Sequence, residues 1–291
     1  MLDHWVDQAD GLRRLLSKTP PQIVTLCSAI SEPGRPWALL NLAAALREAG
    51  VGVLIVDAAV GQDGGLLAEH REGFELQDVL HAQCTLADAI HNGPEDIPVI
   101  CAHSGVEGLV TALTENQTFL GQLQLFSEGI EILLVNTVPD ATGAQCTDEL
   151  LSQEMVITVR PERASVAETY RLIQSLCERS SQREFRLLVS GKPSIREAQK
   201  LHRALSQALD RALDVQLTLL GIMPSDRYLR EAASEGRTVV IRNPNTVSAS
   251  SFRRMADSLI RCRAVESQRL GISPVLTSKT PKSRAFSSLR G

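Results

Sequence analysis

The sequence lacks any continuous apolar stretch close to the roughly 20 residues that cross a lipid bilayer. It also lacks the uninterrupted apolar segment of a secretory signal, because Asp3, Asp7 and Asp10 fall among the apolar positions of the first twenty residues. We therefore expect neither a membrane-spanning nor a secreted chain, but a soluble protein of the cytoplasm.

A surplus of positive charge is missing too. The chain has 30 Lys and Arg against 34 Asp and Glu, a net charge of -4, so it has no general electrostatic attraction to nucleic acid. Its six cysteines include no C-x-x-C pair and no histidine at metal-ligand spacing, which predicts no metal site. Cys27 and Cys101 fall inside apolar runs, where a thiol behaves as a small core side chain.

A hydrolase nucleophile is not indicated either. The triplet His103-Ser104-Gly105 follows an apolar run, but the G-x-S-x-G pattern that exposes a serine on a strand-to-helix turn does not occur. We predict no catalytic residue.

What the sequence does contain is a regular alternation of short apolar runs and longer stretches of helical period. Runs such as residues 53–56 are apolar without alternation, which is typical of strands covered on both faces. This predicts an α/β fold with a doubly wound, mostly parallel sheet flanked by helices. The predicted strands are residues 23–28, 52–57, 97–103, 131–137, 155–160, 185–190, 216–221 and 238–241. The predicted helices include residues 36–49, 107–126, 162–179, 194–213 and 225–235.

Three segments are predicted along the chain. Residues 1–20 form an amphipathic helix, residues 21–263 form one α/β domain without an internal linker, and residues 264–291 form a basic tail. The tail is rich in Ser, Pro and basic residues and has few large apolar ones, which predicts disorder.

The first predicted strand runs through residues 29–36 into an apolar helix, where a phosphate loop belongs in such a fold. Here the sequence resembles the MinD/ParA class of P-loop ATPases. Residues 41–46 and 53–57 are similar to that family's loop helix and second strand, and residues 155–162 and 220–226 are similar to later blocks. The resemblance covers roughly residues 22–262 and implies the P-loop NTPase fold.

The chemistry implied by that resemblance is altered in the loop itself. The family's loop reads G-K-G-G-V-G-K-T, and this chain has Ile30 at the signature lysine. It keeps Gly34, has Arg35 at the lysine that contacts the phosphates, and has Pro36 at the hydroxyl residue that ligates Mg²⁺. Proline also has no N–H to donate to a phosphate.

Two further positions are altered beyond the loop. Asp57 keeps the first Asp of the family's D-x-D, but Ala59 replaces the second, and Asn136 stands at the Walker B Asp. Because phosphoryl transfer depends on positioned charges, the resemblance implies a degenerate nucleotide site that does not hydrolyse ATP. No cofactor is expected, with residual ATP binding as the open alternative.

The N-terminal segment carries a second resemblance. Asp7, Gln8, Ala9, Leu12 and Arg13 match the D-Q-A-x-x-L-R motif at the head of the FlhG/FleN flagellar-number regulators. In that family the motif helix binds the SRP-type GTPase FlhF and stimulates its GTP hydrolysis. These five residues would therefore contact such a partner. The alternative from the residues alone is a helix packed on its own sheet.

The stretch between Phe252 and Leu270 has an apolar stripe with arginines on its other faces. Such a helix either belongs to the core or lies on anionic lipid, which would place the protein at the inner face of the membrane. Three functions stay open: a regulator that acts on an SRP-type GTPase, an ATP-dependent MinD-like membrane switch, and an accessory protein of polysaccharide secretion.

Overall fold

A computed structural model describes residues 20–30, 34–59, 73–126, 129–137, 150, 154–191, 193–223 and 226–269, the last helix without side chains beyond residue 263. The strands are β1 (Gln22–Ser28), β2 (Val53–Asp57), β3 (Ile90–Asn92), β4 (Pro98–Cys101), β5 (Ile132–Asn136), β6 (Glu154–Val159), β7 (Glu184–Val189) and β8 (Gln216–Ile222). The helices are α1 (Arg35–Glu48), α2 (Leu76–Leu80), α3 (Leu86–Ala89), α4 (Leu109–Glu115), α5 (Gln117–Leu125), α6 (Arg163–Arg179), α7 (Ile195–Leu213), α8 (Arg227–Ser234), α9 (Val239–Arg242) and α10 (Val247–Arg269).

The eight strands form one sheet in the order β3-β4-β2-β5-β1-β6-β7-β8. Every neighbouring pair is parallel except β3 and β4. Parallel neighbours need crossover connections, and the helices supply them on both faces of the sheet. The predicted doubly wound, mostly parallel α/β fold is confirmed.

Each face of the sheet has its own apolar core. Residues of α1, α8, α9 and α10 pack on one face. Residues of α2 to α5 and of α6 and α7 form two clusters on the other face. Helix α1 is buried on nearly all sides, because α10 covers the side that does not contact the sheet.

Two predicted elements differ in the structure. Residues 238–241 were expected to form a strand, but they begin helix α9, because side chains from two other elements accept hydrogen bonds from its first N–H groups. The single helix predicted over residues 107–126 is two helices. Asn116 leaves the helical conformation between them (φ -87°, ψ 92°) and caps α5 by accepting from the N–H of Phe119. Strand β3 and helices α2 and α3 were not predicted.

Among the described residues, no helix is long and apolar enough to cross a membrane. The segments 1–19 and 270–291, which contain the predicted partner helix and most of the tail, lie outside the described residues.

Candidate functional site

The candidate site lies at the carboxyl ends of three adjacent strands, β1, β2 and β5. Asp57 at the end of β2 is opposite Asn136 at the end of β5, and Asn136 is opposite Leu26 of β1. In doubly wound sheets, this edge is where ligands bind.

Asp57 and Asn136 form a buried pair at the centre of this edge. Both residues are fully buried, and the Asn136 Nδ2 donates to Asp57 Oδ1 at 2.7 Å. The backbone N–H of Ala59 approaches the same carboxylate oxygen at 3.4 Å. A second carboxylate in place of Asn136 would repel Asp57 unless a cation or a shared proton lay between them. The amide removes that requirement.

Arg35 opens helix α1 and points into the protein. It is only 2% exposed, and its guanidinium donates to Ser28 Oγ at 2.9 Å. The Ser28 hydroxyl in turn donates to the carbonyl of Ile30 at 2.7 Å. The cation that the resemblance places against phosphate is therefore hydrogen-bonded to the protein's own strand β1.

The start of α1 offers few donors to an anion. Gly34 is the N-cap, without a side-chain hydrogen bond, and proline occupies the first turn at Pro36, where it has no N–H. A Cβ on Gly34 would come within 3.2 Å of Met223 Cε, so a larger side chain would press on the neighbouring loop. Residues 31–33 of the loop lie outside the described residues.

The rim of the site on the β4 side carries a thiol and a carboxylate. Cys101 is opposite Asp57 in the sheet, and burial, followed by the charges of Asp57 and Glu75, raises the pKa of its thiol to about 11. Glu75 accepts from the N–H of Ser104 at 2.9 Å and lies 3.5 Å from His103 Nδ1. Within the described part of the chain, no three His, Cys, Asp or Glu residues are grouped so that they could hold a metal ion.

The structure places all seven predicted nucleotide-site residues at one edge. They are Ile30, Gly34, Arg35, Pro36, Asp57, Ala59 and Asn136. Sequence reasoning missed Ser28, which accepts from Arg35, and Thr137, whose buried hydroxyl has no hydrogen-bond partner among the described residues. Both come directly at the end of a strand that precedes the site, and that position is the signal that would have found them.

The C-terminal helix decides between the two alternatives left open for its apolar stripe. Phe252, Met255 and Leu259 are 1%, 2% and 0% exposed and pack in the core with α1. As far as its side chains are described, the stripe belongs to the protein's own core, as the core-helix alternative expects.

The fold and the sequence are similar to those of known proteins, although no model of a protein family matches the chain. The chain is 26% identical over 252 residues to the antiactivator FleN of Pseudomonas aeruginosa, covering 85% of this chain and 89% of that protein. It is also 26% identical over 240 residues to an uncharacterized ATP-binding protein of Methanocaldococcus jannaschii, covering 81% and 87%.

Solved structures give the same fold. The cell division protein MinD of Aquifex aeolicus superimposes with a TM-score of 0.60 at 18% identity, covering 82% of this chain and 97% of that one. MinD of Pyrococcus horikoshii in complex with Mg-ADP gives 0.57 at 19% identity, covering 84% and 98%. The sheet and its flanking helices therefore have the MinD/ParA P-loop fold.

Proposed function

We propose, on the premise that this chain is a MinD/ParA-type protein similar to FleN, that it regulates the placement or number of flagella without using ATP. It acts as a pseudo-ATPase scaffold, and its N-terminal helix binds an FlhF-like SRP-type GTPase and stimulates GTP hydrolysis.

The hydrogen bond between Asn136 and Asp57 carries the proposal. In a Mg²⁺–nucleotide site the acidic residues orient the metal's ligands, and the loop lysine neutralises phosphate charge. Here an amide donates a hydrogen bond to Asp57, and Arg35 donates to Ser28. These bonds within the chain support a site that folds without a nucleotide.

The contact with the partner is assigned to residues 7–13. Leu12 supplies an apolar anchor, and Gln8 and Arg13 supply polar groups that orient water or phosphate in the GTPase site. This part of the proposal is based on the motif and on the similarity to FleN, because residues 1–19 lie outside the described residues.

The direct test measures GTP hydrolysis by a purified FlhF-like GTPase with the full-length protein, and separately with a peptide of residues 1–20. We expect both to stimulate hydrolysis. An Arg13→Ala change removes a charged contact from the motif, and we expect it to reduce stimulation by roughly thirtyfold, as for an interface hot spot of about 2 kcal/mol.

Arg14 offers a matched control, because it is adjacent to Arg13 and lies outside the motif. Arg14→Ala should stay within roughly twofold of the wild type. If neither the peptide nor the full chain alters the GTPase, the partner assignment is wrong. Equal losses in the two variants would indicate charge attraction without use of the motif.

Independence from nucleotide is tested by calorimetric titration with Mg²⁺–ATP and Mg²⁺–ADP. We expect no heat of binding from the full-length protein. Micromolar binding that an Arg35→Ala change abolishes would contradict the scaffold mechanism and favour an ATP-dependent membrane switch.

A further inference from the structure

Three cations on helix α7 have no partner in the part of the chain that the structure describes. Arg196, Lys200 and Arg203 are all exposed, and spacings of four and three residues place them on one side of the helix. Among the described residues, none of the three has a hydrogen bond or an ion pair. Several other surface arginines, such as Arg242 and Arg253, do pair with carboxylates of the chain.

The charge of the whole chain is divided between two regions. Residues 72–159 contain fourteen Asp and Glu and no Lys or Arg, whereas residues 160–263 contain nineteen Lys and Arg against eleven Asp and Glu. The acidic region includes strands β3 to β6 and the basic region includes β7 and β8. Helix α7 packs against β8 at the sheet edge farthest from β3. Its cations therefore lie in the basic part of the sequence and at one edge of the sheet.

Folding of α7 does not require these cations. Like charges three and four residues apart weaken a helix. The carboxylate nearest in sequence, Glu197, accepts at 2.8 Å from both the N–H and the hydroxyl of Ser194, and these bonds lower its pKa. Glu197 is thus held at the start of α7 by the bonds that cap the helix, and among the described residues it forms no ion pair with the three cations.

We propose that the outer face of the first half of α7 binds a protein segment that carries carboxylates next to an apolar side chain. The carboxylates pair with Arg196, Lys200 and Arg203, which span about 10 Å along the helix. The apolar side chain contacts Ile195, the first residue of α7, which is 68% exposed. This surface is separate from residues 1–20 and does not depend on the function proposed above.

The size of the patch favours a protein segment over a membrane or a nucleic acid. Three cations strengthen attachment to an anionic leaflet by roughly a hundredfold, and lasting attachment requires a second signal such as a broad inserted apolar face. Ile195 alone does not provide that face. Three phosphate contacts on a chain of net charge -4 give only weak, salt-sensitive binding of nucleic acid.

The test uses the full-length protein and a fluorescein-labelled peptide of alternating glutamate and leucine as the probe. Fluorescence anisotropy gives the dissociation constant at low and high salt. We expect binding that the combined Arg196→Glu, Lys200→Glu and Arg203→Glu changes weaken by roughly tenfold to a hundredfold. A neutral variant with glutamine at the same positions should show a smaller loss, and circular dichroism establishes that each variant is folded.

A matched control changes three exposed arginines on the other face of the sheet, Arg227, Arg230 and Arg254, to glutamate. It alters the net charge equally and should leave binding within roughly twofold. Equal weakening in the control overturns the proposal, as does the absence of binding by the wild type. Tighter α7-dependent binding to a DNA duplex or to phosphatidylserine vesicles also overturns it. So does salt-sensitive self-association that is lost in the α7 variant, because the occupant is then a second copy.

Discussion

Two asparagines are fully buried in this protein, and they have opposite hydrogen-bond environments. Asn41 on α1 uses both ends of its amide: Nδ2 donates to the carbonyl of Trp37 at 2.8 Å, and Oδ1 accepts from the N–H of Val239 at 2.7 Å. Asn136 in the candidate site donates to Asp57, but its own Oδ1 is buried with no hydrogen-bond partner among the described residues. The first residue joins two elements, whereas the second leaves a polar atom unsatisfied.

This difference separates an amide bonded at both ends from an amide bonded at one end only. A buried acceptor without a partner costs stability, and each such group in a native structure calls for an explanation. At Asn136 the chain has the shape of an acidic residue without its charge. The comparison predicts that Asn41 contributes strongly to stability, and that Asn136 contributes mainly by keeping a second carboxylate out of the site.

The largest effect is expected from Asn136→Asp. Two carboxylates about 4 Å apart repel by about 4 kcal/mol at the effective dielectric of protein interiors, so the free energy of unfolding near neutral pH should fall by about that amount. The folded pair retains a shared proton that the unfolded chain releases. Stability of the variant relative to the wild type therefore falls as pH rises and recovers as pH is lowered.

Chemical denaturation at neutral and mildly acidic pH, with and without Mg²⁺, measures this effect. A deficit that does not change with pH would contradict the paired-carboxylate explanation. If Mg²⁺ removes the deficit, the edge of the sheet in the variant binds a cation. The unsatisfied oxygen of Asn136 would then belong to an empty cation site, unlike the fully bonded amide of Asn41.

The next effect compares the two asparagines directly. Asn41→Leu keeps the volume but leaves the N–H groups of Val239 and Val240 without their acceptor, and should cost about 3 kcal/mol. Asn136→Leu removes the unsatisfied oxygen, but it also takes a donor from the buried Asp57 carboxylate, which keeps the longer contact to the N–H of Ala59, so about 2 kcal/mol is expected. Denaturation midpoints measure both, and faster amide exchange at Val239 should appear only in the Asn41 variant. Equal losses would remove the distinction between the two sites.

The same contrast shows what the sequence can predict. Seven of the eight predicted strands lie where the short apolar runs placed them. The central strands β1, β2 and β5 are the clearest, because strands covered on both faces need apolar side chains on both faces. The eighth, at Val239 and Val240, is locally strand-like. Asn41, far away in the sequence, accepts from both of their N–H groups. This tertiary contact favours the helical conformation over the strand.

The candidate site was predictable in its positions but not in its geometry. The family resemblance located Arg35 and Asn136, since their places relative to the strands are fixed by the fold. It did not give the direction of Arg35, because that depends on the space beside Ser28 and on the hydroxyl there. Sequence spacing carries no information on which way a long side chain turns.

A smaller effect is expected at the other residue that caps α9. Glu95 accepts from the N–H of Thr238 at 3.0 Å, and it also lies 3.6 Å from the half-exposed Arg237. Glu95→Gln keeps an acceptor but loses the charge at the helix N-terminus, which should cost about 1 kcal/mol. Arg237→Gln, the control, removes only the exposed pair and should change the unfolding free energy by a few tenths of a kcal/mol. The reverse order would show that the ion pair, and not the cap, stabilises α9.

The smallest effect is one of chemical reactivity, and it compares a buried cysteine beside the candidate site with a buried cysteine on α6. Burial raises the pKa of the Cys101 thiol to about 11 beside the candidate site. Burial also raises the pKa of Cys177, but the Arg183 guanidinium opposes that rise. Because the thiolate is the reactive form, iodoacetamide should modify Cys101 more slowly than Cys177 at mildly alkaline pH, with mass spectrometry following each site. If Cys101 is modified as fast as Cys177, the edge of the sheet at the site opens in the native protein. Water would then reach the Asn136 oxygen, and the contrast with Asn41 would fail.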